Sequence, residues 1–346
     1  MEIYFLTTNY NFFGQMRKPW ASMDVELIKN TIEGEGVKVK HYLFSDIIDK
    51  IGEIKNQIIF YGFSQKEETR GYISDIISFL DKENTVIPSL ELLKCHENKG
   101  YQELLKKQLG FESLKSQYVD SINKIDKTTF KYPFVLKTID GSNGKGVYLI
   151  KQDSDLVQIQ KSFNKIPSLK QLDLFRRKYF RKKKTYPEYP DYNNRKDYED
   201  YLNFYILKDK RFIVQEFVEG LEFDYRVLIL NNQLYITKRH NKDNDFRASG
   251  AKKFDFNFEV PTSILDYALS VFDVFNSPFL SIDIAAQGNN YFLIEYQALH
   301  FGVNVYSKNK YYYSKVDGEW SKFEINQSIE EVIAKQLVDY IKTRHA

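Results

Sequence analysis

The sequence predicts a mixed α/β and α+β protein in three lobes. A parallel α/β lobe takes residues 1–94, a central lobe with a glycine-rich flap takes 95–214, and an antiparallel-sheet lobe takes 215–346. Three observations point there. Strand-like and helix-like patterns alternate through the first lobe. The glycines of 141–146 have a strand pattern on both sides. Two pairs of alternating segments, within 221–239 and 279–297, fold back on themselves around Asn-rich turns.

In chain order, Ile3 to Thr7 reads as a strand. Ser22 can cap a helix from Met23 to Glu33, ended by Gly34 and Gly36, and Val37 to Phe44 is a second strand. Gln57 to Tyr61 makes a third strand, Gly71 to Leu80 a helix, and Thr85 to Ile87 a short strand before Pro88. No Gly-x-Gly-x-x-Gly follows the first strand, so a dinucleotide site there is unsupported. The expected role of this lobe is packing and one wall of a substrate cleft.

From Ser89 to Leu109 the pattern is helical and carries Lys99. Tyr132 to Ile139 is a strand, followed by Gly141-Ser142-Asn143-Gly144-Lys145-Gly146 and a strand from Val147 to Ile150. Residues 152–209 are polar and basic, with a run from Arg176 to Lys184 and a Tyr/Pro/Asn-rich loop from Tyr186 to Asn194. Phe212 to Phe217 is a strand. Leu221 to Leu230 and Gln233 to Arg239 form a hairpin around Asn231-Asn232. A helix runs from Pro261-Thr262 through Phe275, Phe279 to Ala285 pairs with Tyr291 to Gln297, and an amphipathic helix from Ile329 to Ile341 follows. No internal repeat is evident.

Composition excludes several classes. With 50 basic and 47 acidic residues, the net charge of +3 does not favour a nucleic-acid partner. One cysteine, Cys95, excludes an intrachain disulfide framework and a multi-Cys zinc site. No stretch reaches the length of a membrane span, and the first residues lack a signal-peptide pattern. A soluble, cytoplasmic protein is the expectation; the oligomeric state is open, and a homo-oligomer is compatible.

The glycine segment lies between two strands, whereas a Walker or Rossmann loop leads into a helix. Glycines permit positive φ and close approach, so a strand–loop–strand of this kind can fold its N–H groups over phosphates. An ordinary hairpin turn is the alternative. Lys137 interrupts the apolar run Phe134-Val135-Leu136, where a charge is costly without an anionic partner. The alternative there is a strand-edge lysine in solvent.

The sharpest feature is Asp283 with Glu295. Alternation puts Asp283 on the face opposite Ile282 and Ile284, and Glu295 on one face with Gln297. A turn near Asn289 sets the two carboxylates across from each other, about 5 Å apart at Cβ. Such a pair repels unless a proton or cation intervenes, and oxygen ligands suit Mg²⁺. Two solvated carboxylates on an exposed face are the alternative. Asp224 and Arg226 share a face of the first hairpin, and Lys238 and Arg239 put one charge on each face of its partner strand. Each is an ordinary surface pair taken alone. The five histidines, His41, His96, His240, His300 and His345, show no ligand spacing.

In order, these pieces resemble the ATP-grasp superfamily, particularly its glutathione synthetase and ribosomal-protein glutamate-ligase branch. The resemblance spans Asn98 to Val303. It runs from Asn98-Lys99 through Val135-Leu136-Lys137 and 141–147 to Val214-Gln215-Glu216-Phe217-Val218-Glu219-Gly220-Leu221-Glu222. It continues with Asp224-Tyr225-Arg226-Val227, Lys238-Arg239, Asp245 to Ala251, Asp283 and Glu295-Tyr296-Gln297.

The resemblance implies the ATP-grasp fold and an ATP-dependent ligase that forms carbon–nitrogen bonds through an acyl phosphate. Lys99 and Lys137 would contact ATP phosphates, with Ser142, Asn143, Gly144, Lys145 and Gly146 closing over them. Glu216, Phe217 and Val218 would read adenine and Glu222 the ribose. Asp283, Glu295 and Gln297 would hold Mg²⁺ or Mn²⁺. Arg226, Arg239 and Arg247 would stabilise the transferring phosphoryl group. The partners would be a small-molecule or peptide carboxylate and an amine. Gln297 replaces the family's usual Asn, and Ala298 to Gly302 replace its small residues. The alternatives are a kinase or transferase use of the same site, and a non-catalytic module binding nucleotide or, through the basic run, nucleic acid.

Overall fold

The protein is described from a computed structural model, which describes every residue except 15–17, 19, 112, 142, 143, 164–167, 181–193, 207–209, 244 and 346. Ser142 and Asn143, residues 181–184 of the basic run and most of the loop expected at 186–194 therefore lie outside the described residues. The chain divides into two compact units. The first holds residues 1–115, 140–145 and 218–346, and the second holds 116–139 and 146–217.

The first unit begins with β1 (Glu2–Thr7), α1 (Val25–Gly34), β2 (Lys38–Leu43), β3 (Ile58–Tyr61), α2 (Glu67–Leu80), β4 (Thr85–Ile87), α3 (Leu90–Cys95) and α4 (Lys99–Gln108). The second contains β5 (Ser116–Val119), β6 (Phe134–Thr138), β7 (Val147–Ile150), α5 (Asp153–Phe163), α6 (Leu169–Phe180), α7 (Arg195–Tyr201) and β8 (Phe212–Glu216). The chain then completes the first unit with β9 (Phe223–Leu230), β10 (Gln233–His240), β11 (Lys253–Asp255), α8 (Thr262–Phe275), β12 (Phe279–Gln287), β13 (Asn290–Gln297), α9 (Asn304–Lys308), β14 (Tyr311–Val316), β15 (Glu319–Glu324) and α10 (Ile329–His345).

β1 to β4 form a parallel sheet in the order β2-β1-β3-β4. Its inner strands β1 and β3 are mostly apolar on both sides because helices or a second layer cover both faces, whereas the edge strand β2 carries Lys38, Lys40 and His41. Ile3, Phe5 and Phe60 pack toward α1 and α10, whereas Leu6, Ile59 and Tyr61 pack toward α2. The cap of α1 differs from expectation. Asp24, not Ser22, accepts the Leu27 N–H at 2.9 Å. The Ser22 hydroxyl instead accepts from Phe13 N and donates to the Met23 carbonyl.

The helical pattern from Ser89 to Leu109 is two helices. Glu97 takes φ 51° and breaks the run, and Asn98 caps α4 by accepting the Tyr101 N–H at 3.1 Å. Lys99 thereby enters the first turn of α4, where it is buried.

The large sheet of the first unit runs β13-β12-β9-β10-β14-β15, with β11 also on β10. Alternation divides its residues cleanly. Val227, Ile229, Ile236, Ile282, Ile284 and Leu293 face α8, which buries Ile264, Leu265, Ala268 and Val271 against them. Each large side chain contributes about 1.5–3 kcal/mol by leaving water. Leu228, Leu230, Tyr235 and Phe279 face the other way, into the core shared with β1, β3 and α10. That second face is apolar at one end of β9 and charged at the other, where Asp224 and Arg226 continue it.

The second unit is an antiparallel sheet in the order β5-β8-β6-β7, closed by Leu156 and Ile159 of α5. Leu174 is the buried residue of α6; with Ile206 it forms a small separate cluster. Part of the basic run is paired within this unit: Arg176 and Arg177 both contact Asp173. Among the described residues no helix is long and apolar enough to cross a membrane.

Candidate active site

Three adjacent strands build the charged end of the large sheet. Register places Asp283 of β12 opposite Arg226 of β9, and Asp224 of β9 opposite Arg239 of β10. The guanidinium of Arg226 donates to both oxygens of Asp283, at 2.7 and 2.9 Å. Arg239 donates to both oxygens of Asp224 at 2.7 Å each and reaches Asp283 Oδ2 at 2.7 Å. Asp224, Arg239 and Asp283 are buried, so this is a desolvated chain of alternating charge rather than a surface pair.

The two carboxylates respond differently. Burial raises the pKa of Asp224, and Arg239 offsets this only in part. Burial acts on Asp283 in the same direction, but Arg226 and Arg239 together outweigh it and hold Asp283 below the usual range. Burial opposes the charge on Arg239, yet Asp283 and Asp224 keep it cationic.

β13 adds Glu295 directly opposite Asp283, the register expected from the sequence. A bulge follows between Asp283 and Ile284, so residues beyond it pair one position out of step. Lys99 Nζ lies 3.6 Å from Glu295 Oε1 and donates to the Gly141 carbonyl at 2.7 Å. This lysine ties the start of the flap to the acidic strand. Arg247 holds the next part of the flap: its Nη1 donates to the Gly144 carbonyl at 2.9 Å, while Asp245 grips the rest of the fork. Gly144 has φ +74°, and a Cβ there would sit 2.8 Å from the Ser249 carbonyl oxygen, so the approach requires glycine. Lys145, Lys242, Arg247 and Ser249 line a cavity of about 210 Å³ beside it. Asp245 also lines it and offsets Arg247, which leaves Lys145 and Lys242 as the cations an anion would meet.

The expected metal ligands are not equivalent. Both oxygens of Asp283 are engaged by guanidinium groups, so a cation there competes with two arginines. Glu295 is more open, with 38% of its side chain exposed. The amide nitrogen of Gln297 is 3.1 Å from His96 Nδ1, which leaves the amide oxygen for another partner. Glu295 and Gln297 thus fit a hard cation by their oxygens. Asp283 joins them only by giving up an arginine. Among the described residues no three His, Cys, Asp or Glu side chains cluster as a metal site.

Sequence reasoning missed the histidines. The rings of His96 and His300 lie 4.9 Å apart, edge-on to Phe63, and each leaves a buried Nε2 without a partner among the described residues. Burial pushes His96 down to about 4 and His300 to about 3, so both are neutral. Their separation in sequence gave no signal.

Of the other expected residues, Lys137, Gly146, Glu216 and Phe217 belong to the second unit, and Val218 and Glu222 to the first. Lys137 is buried in β6, its Nζ donating to Gln215 Oε1 at 2.5 Å. Gly146, at φ +72°, closes the flap onto Thr138, whose backbone N–H donates to the Gly146 carbonyl. Glu216 ends β8 and is exposed; Phe217 and Val218 follow, and Glu222 precedes β9.

The comparisons with known proteins agree with this architecture. The family model of the RimK-like ATP-grasp domain matches residues 95–176. No curated protein matches the chain. Among solved structures, a RimK-domain ATP-grasp protein from Sphaerobacter thermophilus is 9% identical with a TM-score of 0.51, covering 98% of each chain. The D-cycloserine synthetase DcsG is 9% identical with a TM-score of 0.54, covering 97% of this chain and 99% of its own. A RiPP-associated ATP-grasp ligase from Chryseobacterium gregarium, solved with ADP and a leader and core peptide, is 12% identical with a TM-score of 0.50, covering 99% and 97%. At such identities the structural likeness speaks to fold. The chain thus has the ATP-grasp fold, and residues 95–176, which hold α4 and the flap, match the RimK-like ATP-grasp domain.

Proposed function

We propose that the protein is an ATP-dependent ligase that activates a carboxylate and joins it to an amine. The observation that carries this reading is the charged end of the large sheet. Arg226 and Arg239 converge there on Asp283, beside Glu295, Lys99 and the flap carbonyl of Gly141. Phosphoryl transfer needs positioned positive charge more than covalent help from the protein, and Arg226, Arg239 and Lys99 are cations held in fixed positions by the carboxylates beside them.

In the proposed reaction a substrate carboxylate oxygen attacks the γ-phosphorus of ATP, the bond to the β-phosphate oxygen breaks, and ADP leaves. The amine nitrogen then attacks the acyl carbon, expelling phosphate and losing a proton. Arg226 and Arg239 neutralise the charge that develops on the transferring group. Lys99 and Lys137 would bind phosphates, Arg247 holds Gly144 of the flap, and Glu216 to Val218 with Glu222 would take the adenosine. Bound Mg²⁺ or Mn²⁺ would neutralise phosphate oxygens, held by Glu295 and Gln297, with Asp283 entering on release of an arginine. In this reading segments 1–94, 95–214 and 215–346 act as the three functional lobes of the ligase. The solved ligase with ADP and peptides supports including peptides among the substrates tested.

The test is ADP release with Mg²⁺ and paired panels of carboxylates and amines, amino acids and short peptides included. Release that needs both partners, with an amide product, supports the ligase. A stable phosphorylated product instead of an amide would establish the kinase or transferase alternative. ATP binding without release across the panels would leave a nucleotide-binding module.

A further inference from the structure

The parallel sheet carries a second feature. In the order β2-β1-β3 the chain leaves β1 to one side and returns on the other, so β1 and β3 flank a topological switch point. In open α/β sheets, ligands bind outside the carboxyl ends of the strands at such a point. A pocket of about 870 Å³ lies there, lined by residues that follow β1, β2 and β3 and by the first turns of α2. The volume is in the range of small-molecule sites.

Five aromatic side chains line it: Tyr10, Phe12, Trp20, Phe44 and Tyr72. Tyr10 is 99% exposed and Trp20 76%, which wastes apolar surface unless something stacks on them. Tyr10 and Asn11 both hold positive φ, at 65° and 52°, an arrangement pinned by the paired backbone hydrogen bonds between Thr8 and Phe12. Strain that presents an aromatic ring to water marks a binding loop rather than a packing solution. Lys66 and Glu68 add one charge of each sign to the lining, and neither side chain has a partner among the described residues.

We propose that this pocket binds an amino-acid or peptide substrate through an aromatic side chain, with Lys66 set for its carboxylate and Glu68 for its amine. Its role as a substrate site rests on the ligase reading. Opposite charges beside an aromatic wall favour a zwitterion over a neutral sugar.

The protein has two tryptophans, so W320F leaves Trp20 as the sole reporter. The probes are Gly-Phe-Gly, Gly-Leu-Gly and maltose, titrated while Trp20 emission is followed. Gly-Phe-Gly alone should shift the emission saturably, and Y72A or K66M should weaken that titration by about tenfold. No shift, an equal response to Gly-Leu-Gly, or a response to maltose alone would overturn the proposal. ATP calorimetry on the same W320F protein separates the two readings. ATP binding without a peptide response rejects the pocket only, and absent ATP binding rejects the ligase reading whatever the peptides do.

Discussion

Arg239→Met is the perturbation with the most informative consequence. The Arg239, Asp224 and Asp283 side chains are 6%, 9% and 7% exposed, and every contact among them is 2.7 Å. Removing the guanidinium takes both of its bonds from Asp224, which burial already disfavours in its charged form. Breaking a buried pair from one side costs about 3–5 kcal/mol. Arg226→Met is the control. Its side chain is 33% exposed, and Asp283 keeps Arg239 when it is lost, so the cost is about 1 kcal/mol. With a urea slope of about 3 kcal/mol/M, R239M lowers the midpoint by roughly 1–1.7 M and R226M by about 0.3 M. Both tryptophans lie in the first unit, so emission at equilibrium in urea follows that unit. Adding Asp224→Asn to R239M removes the orphaned charge and should restore about 1 kcal/mol or more. Equal midpoints for the two single variants would refute the buried-chain argument.

Three further outcomes follow from the geometry. Burial holds His300 at about 3, below the unfolded value of about 6.5, so the unfolded chain binds the extra proton between these values. Stability is therefore lost as pH falls below about 6.5, by about 1.4 kcal/mol per unit from this group, and H300N should remove that share of the slope in urea midpoints. Asn also tolerates the φ of 48° at this position. Gly146→Ala puts a Cβ 2.0 Å from Thr138 Oγ1 at φ +72°, so it should destabilise the base of the flap by about 1–3 kcal/mol. Hydrogen exchange at β6 and β7 amides should speed up accordingly, and unchanged exchange would count against the packing described. Burial raises the Cys95 thiol to about 12, so a disulfide reagent should label no thiol in the native protein at pH 8 and one in urea.

Much of the fold was legible because local pattern and tertiary environment agree. α8 has the expected helical span, and β4 and β7 match their apolar runs. The Asp283–Glu295 pairing was readable because a hairpin with a short turn fixes its own register. What failed depended on neighbours distant in sequence. Arg226 meets Asp283 only because β9 lies between β12 and β10, an order that no local pattern encodes. His96 and His300 meet through Phe63, with no shared motif. The break at Glu97 was invisible in a segment whose apolar positions keep helical spacing on both sides. The β14–β15 hairpin was missed although Asp317-Gly318 is a strong turn signal, because its strands bury a single residue and lack a clean apolar alternation.

The most direct test of the central claim is Mg²⁺-dependent ATP binding by calorimetry on the wild type, Lys99→Met, Lys137→Ala and Glu295→Gln. The account predicts binding by the wild type that each variant weakens by about tenfold or more. A wild type that does not bind ATP, or variants that bind it equally well, would contradict it.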